Sequence, residues 1–259
     1  PYMDIRNTLK HALMAAVAVM AAIAPAAAQS AAPFFDTSRT DKFIYVGVHV
    51  GEGISTIRQN YSQCVPSVSD FILTPGNRFD VGLTATIPVR NFFAIGTGFD
   101  FTVNNYYWTM TMLDREQGTL SSLYNRNRYY NVELPAYLQF RFNLGSKVMW
   151  RNDVGVYVSF GTGGHSDTRV ATSSTNSLGQ SQVTETMLEH KYYKDEAPVI
   201  NGFESFDFGF RLATGIVAYK HYTVDAVFNV GATELARNMG VLDVKAKTLN
   251  LTFKVGYLF

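Results

Sequence analysis

The side chains able to do chemistry fall into two sets. The first is a series of charges, Asp80, Asp100, Glu133, Arg141, Arg151, Asp153, Asp207, Arg211, Asp225 and Lys254, nearly all flanked on both sides by apolar residues. Carboxylates and cations in that pattern either pair into a fixed network or line a path that conducts ions. The second set is the histidines of a Gly, Ser and Thr-rich stretch, His165 beside Ser166 and His190 beside Glu189. A serine and a histidine are the raw material of a hydrolase, but a working base needs a third group to orient it, and the spacing supplies none. His49 falls among the charged positions and His221 in a short turn. No paired histidines, clustered cysteines or calcium-loop spacing point to a metal. Gly161, Gly163 and Gly164 precede no helix that would make them a phosphate cradle. No catalytic residue, cofactor or metal is assigned.

The elements that must position these residues are strands. Stepping back by two from Phe259 gives Tyr257, Val255, Phe253, Leu251 and Leu249, an unbroken apolar face with mostly polar or small residues between. Period two is the signature of a strand with one oily side. A water-soluble domain rarely leaves such a strand with a free edge, whereas a barrel pairs it with the first strand and removes the edge.

Seven more segments share the alternation: 43–54, 78–89, 92–110, 128–143, 148–161, 206–217 and 222–233. In each, apolar residues take one face, and the charged residues named above take the other together with glycines. Pro135, inside 128–143, predicts a bulge, since proline cannot donate to the ladder. The connections alternate in length, short at 90–91, 144–147 and 219–221 and long elsewhere, with 162–203 the longest. Pieces of that segment, Arg169 to Ala171 and Val183 to Glu185, suit a hairpin raised above a membrane. The pattern predicts an all-β fold, an eight-stranded antiparallel up-and-down transmembrane barrel with both ends in the periplasm and long loops outside. Eight strands leave an interior just wide enough for side chains to fill, which favours a packed charge network over a pore.

The start of the chain agrees with that compartment. Arg6 and Lys10 precede an apolar run, Ala12 to Ile23, then Pro25 and Ala26 to Ala28, the layout of a signal peptide cleaved after residue 28. Residues 29–42 read as a periplasmic leader and 43–259 as the barrel. Cleavage removes Asp4, Arg6 and Lys10, so the 22 basic and 21 acidic residues fall to 20 each (22 less two, 21 less one). That balance gives no basic excess for nucleic acid. Cys64 is the only cysteine, so no internal disulfide forms.

The run Tyr130 to Phe142, Tyr-Asn-Val-Glu-Leu-Pro-Ala-Tyr-Leu-Gln-Phe-Arg-Phe, resembles the Tyr-x-x-Glu-(Ile/Leu)-Pro strand of the PorT-like outer-membrane β-barrel family of Bacteroidetes. The resemblance extends over about residues 43–259 and implies insertion by the barrel-assembly machinery, with Leu251, Phe253, Val255, Tyr257 and Phe259 as the assembly signal. It carries no catalytic residue. The expected partners are outer-membrane lipid, that machinery, and an outer-membrane complex or extracellular ligand. Tyr124, Tyr129, Tyr192 and Tyr193 are the candidate loop contacts, since tyrosine offers a large amphipathic surface at low entropic cost. Three classes stay open: a noncatalytic structural or recognition barrel, a narrow channel, and a lipid-active hydrolase using His165 or His190.

Overall fold

The computed structural model describes residues 33–40, 42–60, 68–114, 119–175, 181–193, 202–236 and 245–259. The expected signal peptide 1–28 and Cys64 lie outside the described residues, as do parts of the expected leader and of segment 162–203. The described chain forms nine strands: β1 (Tyr45–Asn60), β2 (Val68–Arg90), β3 (Phe93–Asp114), β4 (Thr119–Asn143), β5 (Val148–Thr175), β6 (Ser181–Lys191), β7 (Phe206–Ala218), β8 (Tyr222–Gly231) and β9 (Lys245–Leu258). Every pairing is antiparallel. Eight strands close into a ring, with β6 left over, and β1 pairs with β9 from Gly47↔Leu258 to Asn60↔Lys245. The eight-stranded up-and-down barrel read from the alternation is the observed fold.

The barrel is inverted relative to a soluble protein. Leu83, Val154, Phe210 and Leu212 stand about half exposed on the outside, while Asp80, Asp100, Glu133, Arg78 and Lys254 are buried inside. Period two does this mechanically, because each strand sends alternate side chains to opposite faces. The β9 burial pattern flips residue by residue from Lys245 to Val255. Apolar residues on a wall surrounded by water would cost free energy on every strand, whereas in lipid the same wall leaves no backbone group without a partner.

Three connections are tight. Tyr219 and Lys220 both take positive φ, 52° and 67°, which is the twist that a two-residue hairpin connection requires. On the same rim the segment before β1 is docked on the turns: Asn91 donates to Asp36 (2.8 Å) and Ser38 (2.7 Å), and Asn143 N–H donates to the Phe34 carbonyl at 3.0 Å. Phe34 stacks on Phe142 at 5.1 Å and Phe35 packs against Phe92 at 4.4 Å.

At the other rim the strands run further than the hydrophobic alternation predicts. β2 begins at Val68 rather than residue 78, β4 at Thr119 rather than 128, and β5 continues to Thr175 rather than ending at 161. Much of what reads as long loop after the first and third strands is therefore strand. The physical reason is that outward residues there, such as Arg126, Arg128 and Arg169, are polar, so the oily face that marks a strand stops while the ladder continues. The expected hairpin in 162–203 is present as β5 paired with β6, from His165↔Lys191 to Thr175↔Ser181. The result is a raised wall of β2 to β6 on one side of the mouth.

Pro135 does not make a bulge. Its register with β5 is unbroken, Leu134↔Val158, Pro135↔Tyr157 and Ala136↔Val156. On the β3 side the pairing lapses between Thr97↔Ala136 and Asp100↔Glu133 without a shift. The ring fits because Gly98 lies beside it, where a Cβ would sit 3.3 Å from Pro135 Cγ, and Thr97 Oγ1 donates to the Pro135 carbonyl at 2.8 Å. The bulge in that pair lies instead opposite Tyr130 and Asn131, where Thr162 of β5 is the extra residue.

Candidate functional site

The inward charges form stacked layers, built from strands that are mostly not neighbours. Nearest the tight turns, Arg151 of β5 makes a two-point contact with Asp225 of β8, its Nε donating at 2.7 Å. Arg141 Nε donates to Gln139 Oε1 at 2.6 Å, and Gln139 donates to Asp153 at 2.8 Å. Arg141 also lies over the Tyr45 ring at 5.0 Å.

The next layer is the centre of the barrel. Lys254 Nζ of β9 lies 2.8 Å from Asp100 Oδ2 of β3 and 3.2 Å from Asp80 Oδ2 of β2. His49 Nε2 of β1 meets Asp100 Oδ1 at 2.7 Å and Lys254 Nζ at 3.1 Å. Arg211 of β7 approaches Asp100 at 3.5 Å. Gly82 makes the His49–Asp100 contact possible, because a Cβ there would overlap the Asp100 carboxylate and sit 2.8 Å from His49 Nε2.

Above it, Arg78 of β2 donates to Glu133 of β4 at 2.8 Å and to Asn104 at 2.8 Å, and Asn229 of β8 reaches the same Glu133 oxygen at 3.1 Å. Asp207 of β7 accepts from Thr248 (2.6 Å) and Tyr157 (2.9 Å). All ten charges expected inside face the lumen. Arg78 belongs with them, and its parity with Asp80 is the signal that would have found it.

Little space is left around the central charges. The cavity lined by His49, Tyr137, Arg151, Asp153, Arg211 and Lys254 measures about 20 Å³, against the ~10–15 Å³ that a single water needs. Removing one partner from such a buried pair costs ~3–5 kcal/mol, because the other charge is left uncompensated. Among the described residues no group of His, Cys, Asp and Glu is arranged to hold a metal.

Over the charges, at the raised end, lies an aromatic layer. Tyr129 and Tyr192 stack at 4.5 Å, Phe203 stacks on Tyr192 at 4.6 Å, and Tyr106, Trp108 and Leu123 join them. Tyr129 donates or accepts at Ser55 (3.2 Å), and Tyr193 donates to Asn131. Tyr129 and Tyr192 were expected as surface contacts, and their burial corrects that: they point into the barrel mouth, with 2% of their surface open. Tyr193 is half-buried in the same layer, and Tyr124 alone of the four is exposed, stacked on Tyr107 at 6.4 Å.

The hydrolase candidates are separated. His165 pairs with Lys191 and His190 with Ser166, so alternation sends His165 to the outer face and His190 to the inner. Glu189 shares the His165 side, which leaves His190 without its neighbouring carboxylate. Ser166 Oγ accepts from Asn125 at 2.8 Å, and His190 Nε2 has no hydrogen-bond partner among the described residues.

Leu251, Phe253, Val255, Tyr257 and Phe259 face outward on β9 and the residue beyond it. Tyr257 packs on His221 (5.2 Å), Tyr222 (5.6 Å) and Phe259 (5.2 Å), and Phe259 N–H donates to Val46 at 2.8 Å.

No family model matches the chain and no curated protein matches it. Among solved structures it is similar to the outer membrane protein OprG from Pseudomonas aeruginosa, at 10% identity over 87% of this chain and 99% of that one, TM-score 0.41. It is also similar to Ail, the attachment invasion locus protein of Yersinia pestis (14% identity, 83% and 98% covered, TM-score 0.32), and to Neisserial surface protein A (13%, 84% and 98%, TM-score 0.33). These neighbours are outer-membrane β-barrel proteins, and the fold assignment here rests on the strand pairings themselves.

Proposed function

We propose that this chain is a noncatalytic integral protein of a Gram-negative outer membrane whose raised strands act in surface recognition. The observation that carries the reading is the inversion of the barrel, an apolar wall around a charged interior in which the cavity between His49, Arg151, Arg211 and Lys254 measures about 20 Å³. So narrow a space at that level supports an anchor and scaffold over a conduit. In this reading the tight turns and the docked segment 33–40 face the periplasm, and the wall of β2 to β6 stands outside the cell. The strand Tyr130 to Phe142 extends the proposal to the PorT-like barrels, and Tyr257 with Phe259 to recognition by the assembly machinery.

Three measurements test it. The protein should fractionate with outer membranes and migrate faster on gels when unboiled. A Val183→Cys variant in a Cys64→Ser background should react with a membrane-impermeant maleimide on intact cells. In planar bilayers it should give no discrete conductance. Full solubility without detergent, or steady conductance steps, would overturn the reading.

A further inference from the structure

Outside the lumen, a row of unpartnered cations among the described residues lies on the outer face of the raised wall. Asn105 pairs with Arg128, Arg128 with His165, and His165 with Lys191, across four adjacent strands. Residues directly opposite in an antiparallel ladder share a face, and Arg128, His165 and Lys191 are all exposed. With strands ~4.8 Å apart, Arg128 and Lys191 stand ~10 Å from each other with His165 between them. Cations side by side destabilise a sheet. None of the three makes an ion pair among the described residues, and the guanidinium of Arg128 rests 5.7 Å from the Tyr130 ring. The row above contains Tyr107, Arg126, Asp167 and Glu189. The acids thus lie on the side away from the apolar belt, and the row beside the belt carries no acid.

Its height is set by β4. From Phe142 to Tyr130 the outward residues are apolar or aromatic, and twelve steps at ~3.3 Å, tilted by ~45°, rise ~28 Å, which is the thickness of a bilayer's hydrocarbon core. The upper edge of that belt is aromatic, with Phe101 stacked on Tyr130 (6.5 Å) and Phe160 packed on Phe206 (5.5 Å). Arg128 is the next outward residue on β4. It stands where lipid headgroups begin.

We propose that Arg128, His165 and Lys191, with Arg126 beside them, hold the phosphate groups of the phosphorylated glycolipid that forms the outer leaflet of a Gram-negative outer membrane. Arginine offers phosphate a planar fork and lysine a point charge. Asp167 and Glu189 repel an anion from above and keep it low, against the belt. The proposal rests on the reading that the raised wall faces outside.

The test is native mass spectrometry of the full detergent-purified chain, titrated with bis-phosphorylated lipid A, dephosphorylated lipid A, phosphatidylglycerol and inorganic phosphate. Bis-phosphorylated lipid A should be retained at least about tenfold more tightly than the other three. An Arg128→Gln/Lys191→Gln variant should lose that preference, while Arg169→Gln, a higher residue paired with Glu185, should keep it. Unboiled gel mobility confirms that each variant folds. Equal binding of the dephosphorylated lipid, of phosphatidylglycerol or of free phosphate, or a folded double variant that binds like wild type, would overturn the proposal. Failure of the orientation alone shows separately, as an unlabelled Val183→Cys on intact cells.

Discussion

Lys254 and Asp100 meet at 2.8 Å across the lumen, although β9 and β3 are separated around the ring by β1 and β2. The ammonium also serves Asp80 at 3.2 Å, so one cation balances two buried carboxylates. Lys254→Met should therefore take the nearest cation from both, leaving Arg211 at 3.5 Å from Asp100 and Arg78 at 4.0 Å from Asp80, and the loss should approach the ~3–5 kcal/mol of a broken buried pair. Urea unfolding in lipid vesicles, read by gel mobility, measures it. The double variant Lys254→Met/Asp100→Asn should recover part of the loss, and a silent single variant would remove the lumen network from the account of stability.

The outer face makes the opposite demand. Leu212 lies midway along β7, about half exposed between Phe210 and Thr214. Leu212→Lys should cost ~2–4 kcal/mol if that face meets the middle of a bilayer. The same substitution at Met187 of β6, exposed on the raised hairpin, should change stability by less than about 0.5 kcal/mol, as surface changes usually do. Equal effects at the two positions would mean that the belt does not sit in lipid.

The membrane-spanning part was legible because lipid and lumen impose opposite demands on alternate residues, and Phe79-Asp80-Val81 or Phe99-Asp100-Phe101 displays both in three positions. Pairing partners were not legible. Nothing in one sequence says that Lys254 chooses Asp100 and Asp80 over Asp225, which depends on the stagger of β9 against β1. Above the belt the demand relaxes on the outer face, and the alternation of Arg126, Asn127, Arg128 and Tyr129 carries no hydrophobic period. Strand extension and the burial of Tyr129 and Tyr192 were hidden for that reason.

The aromatic layer should hold the raised hairpin in place. Tyr129 is stacked on Tyr192 and bonded to Ser55, so Tyr129→Ala should remove ~3–5 kcal/mol of packing, whereas Tyr129→Phe forfeits only a hydrogen bond worth ~1 kcal/mol. Limited proteolysis between β5 and β6 in intact vesicles should speed up strongly in the first variant and little in the second. Equal protection in both would show that the hairpin stands without the plug.

At the tight-turn rim, Asp36 accepts from the Ser38 hydroxyl (2.6 Å), the Ser38 N–H (2.9 Å) and Asn91 (2.8 Å). The Ser38 side-chain bond, then its backbone bond, then Asn91 hold the carboxyl below its ordinary value of 3.8. A depressed folded pKa stabilises the docked segment above the unfolded value of ~3.9 and loses that contribution as pH falls through the folded pKa. Docking of residues 33–40 should thus be unchanged between pH 7 and 5 and weaken below about 4. A spin label on a cysteine at Ser38 is unsuitable because Ser38 is a partner, so the label belongs at Thr37. Asp36→Asn should loosen residues 36–38 at neutral pH while Phe34 and Phe35 stay packed on Phe142 and Phe92, and equal label mobility in variant and parent would discount the carboxylate.

Tyr257 tests whether the outward face of β9 is read during assembly or merely packs. Its ring lies between His221, Tyr222 and Phe259, and the neighbouring backbone ties β9 to the His221 turn through Leu258 N–H at 2.7 Å. Tyr257→Asp removes both the aromatic face and its packing, and should lower the heat-modifiable fraction in cells. Packing alone predicts an equal defect when the purified variant is refolded into vesicles without any assembly machinery. A recognition role predicts a deficit in cells several-fold larger than in vesicles, with Tyr257→Phe normal in both. If Tyr257→Asp assembles in cells as well as the parent, neither role belongs to Tyr257.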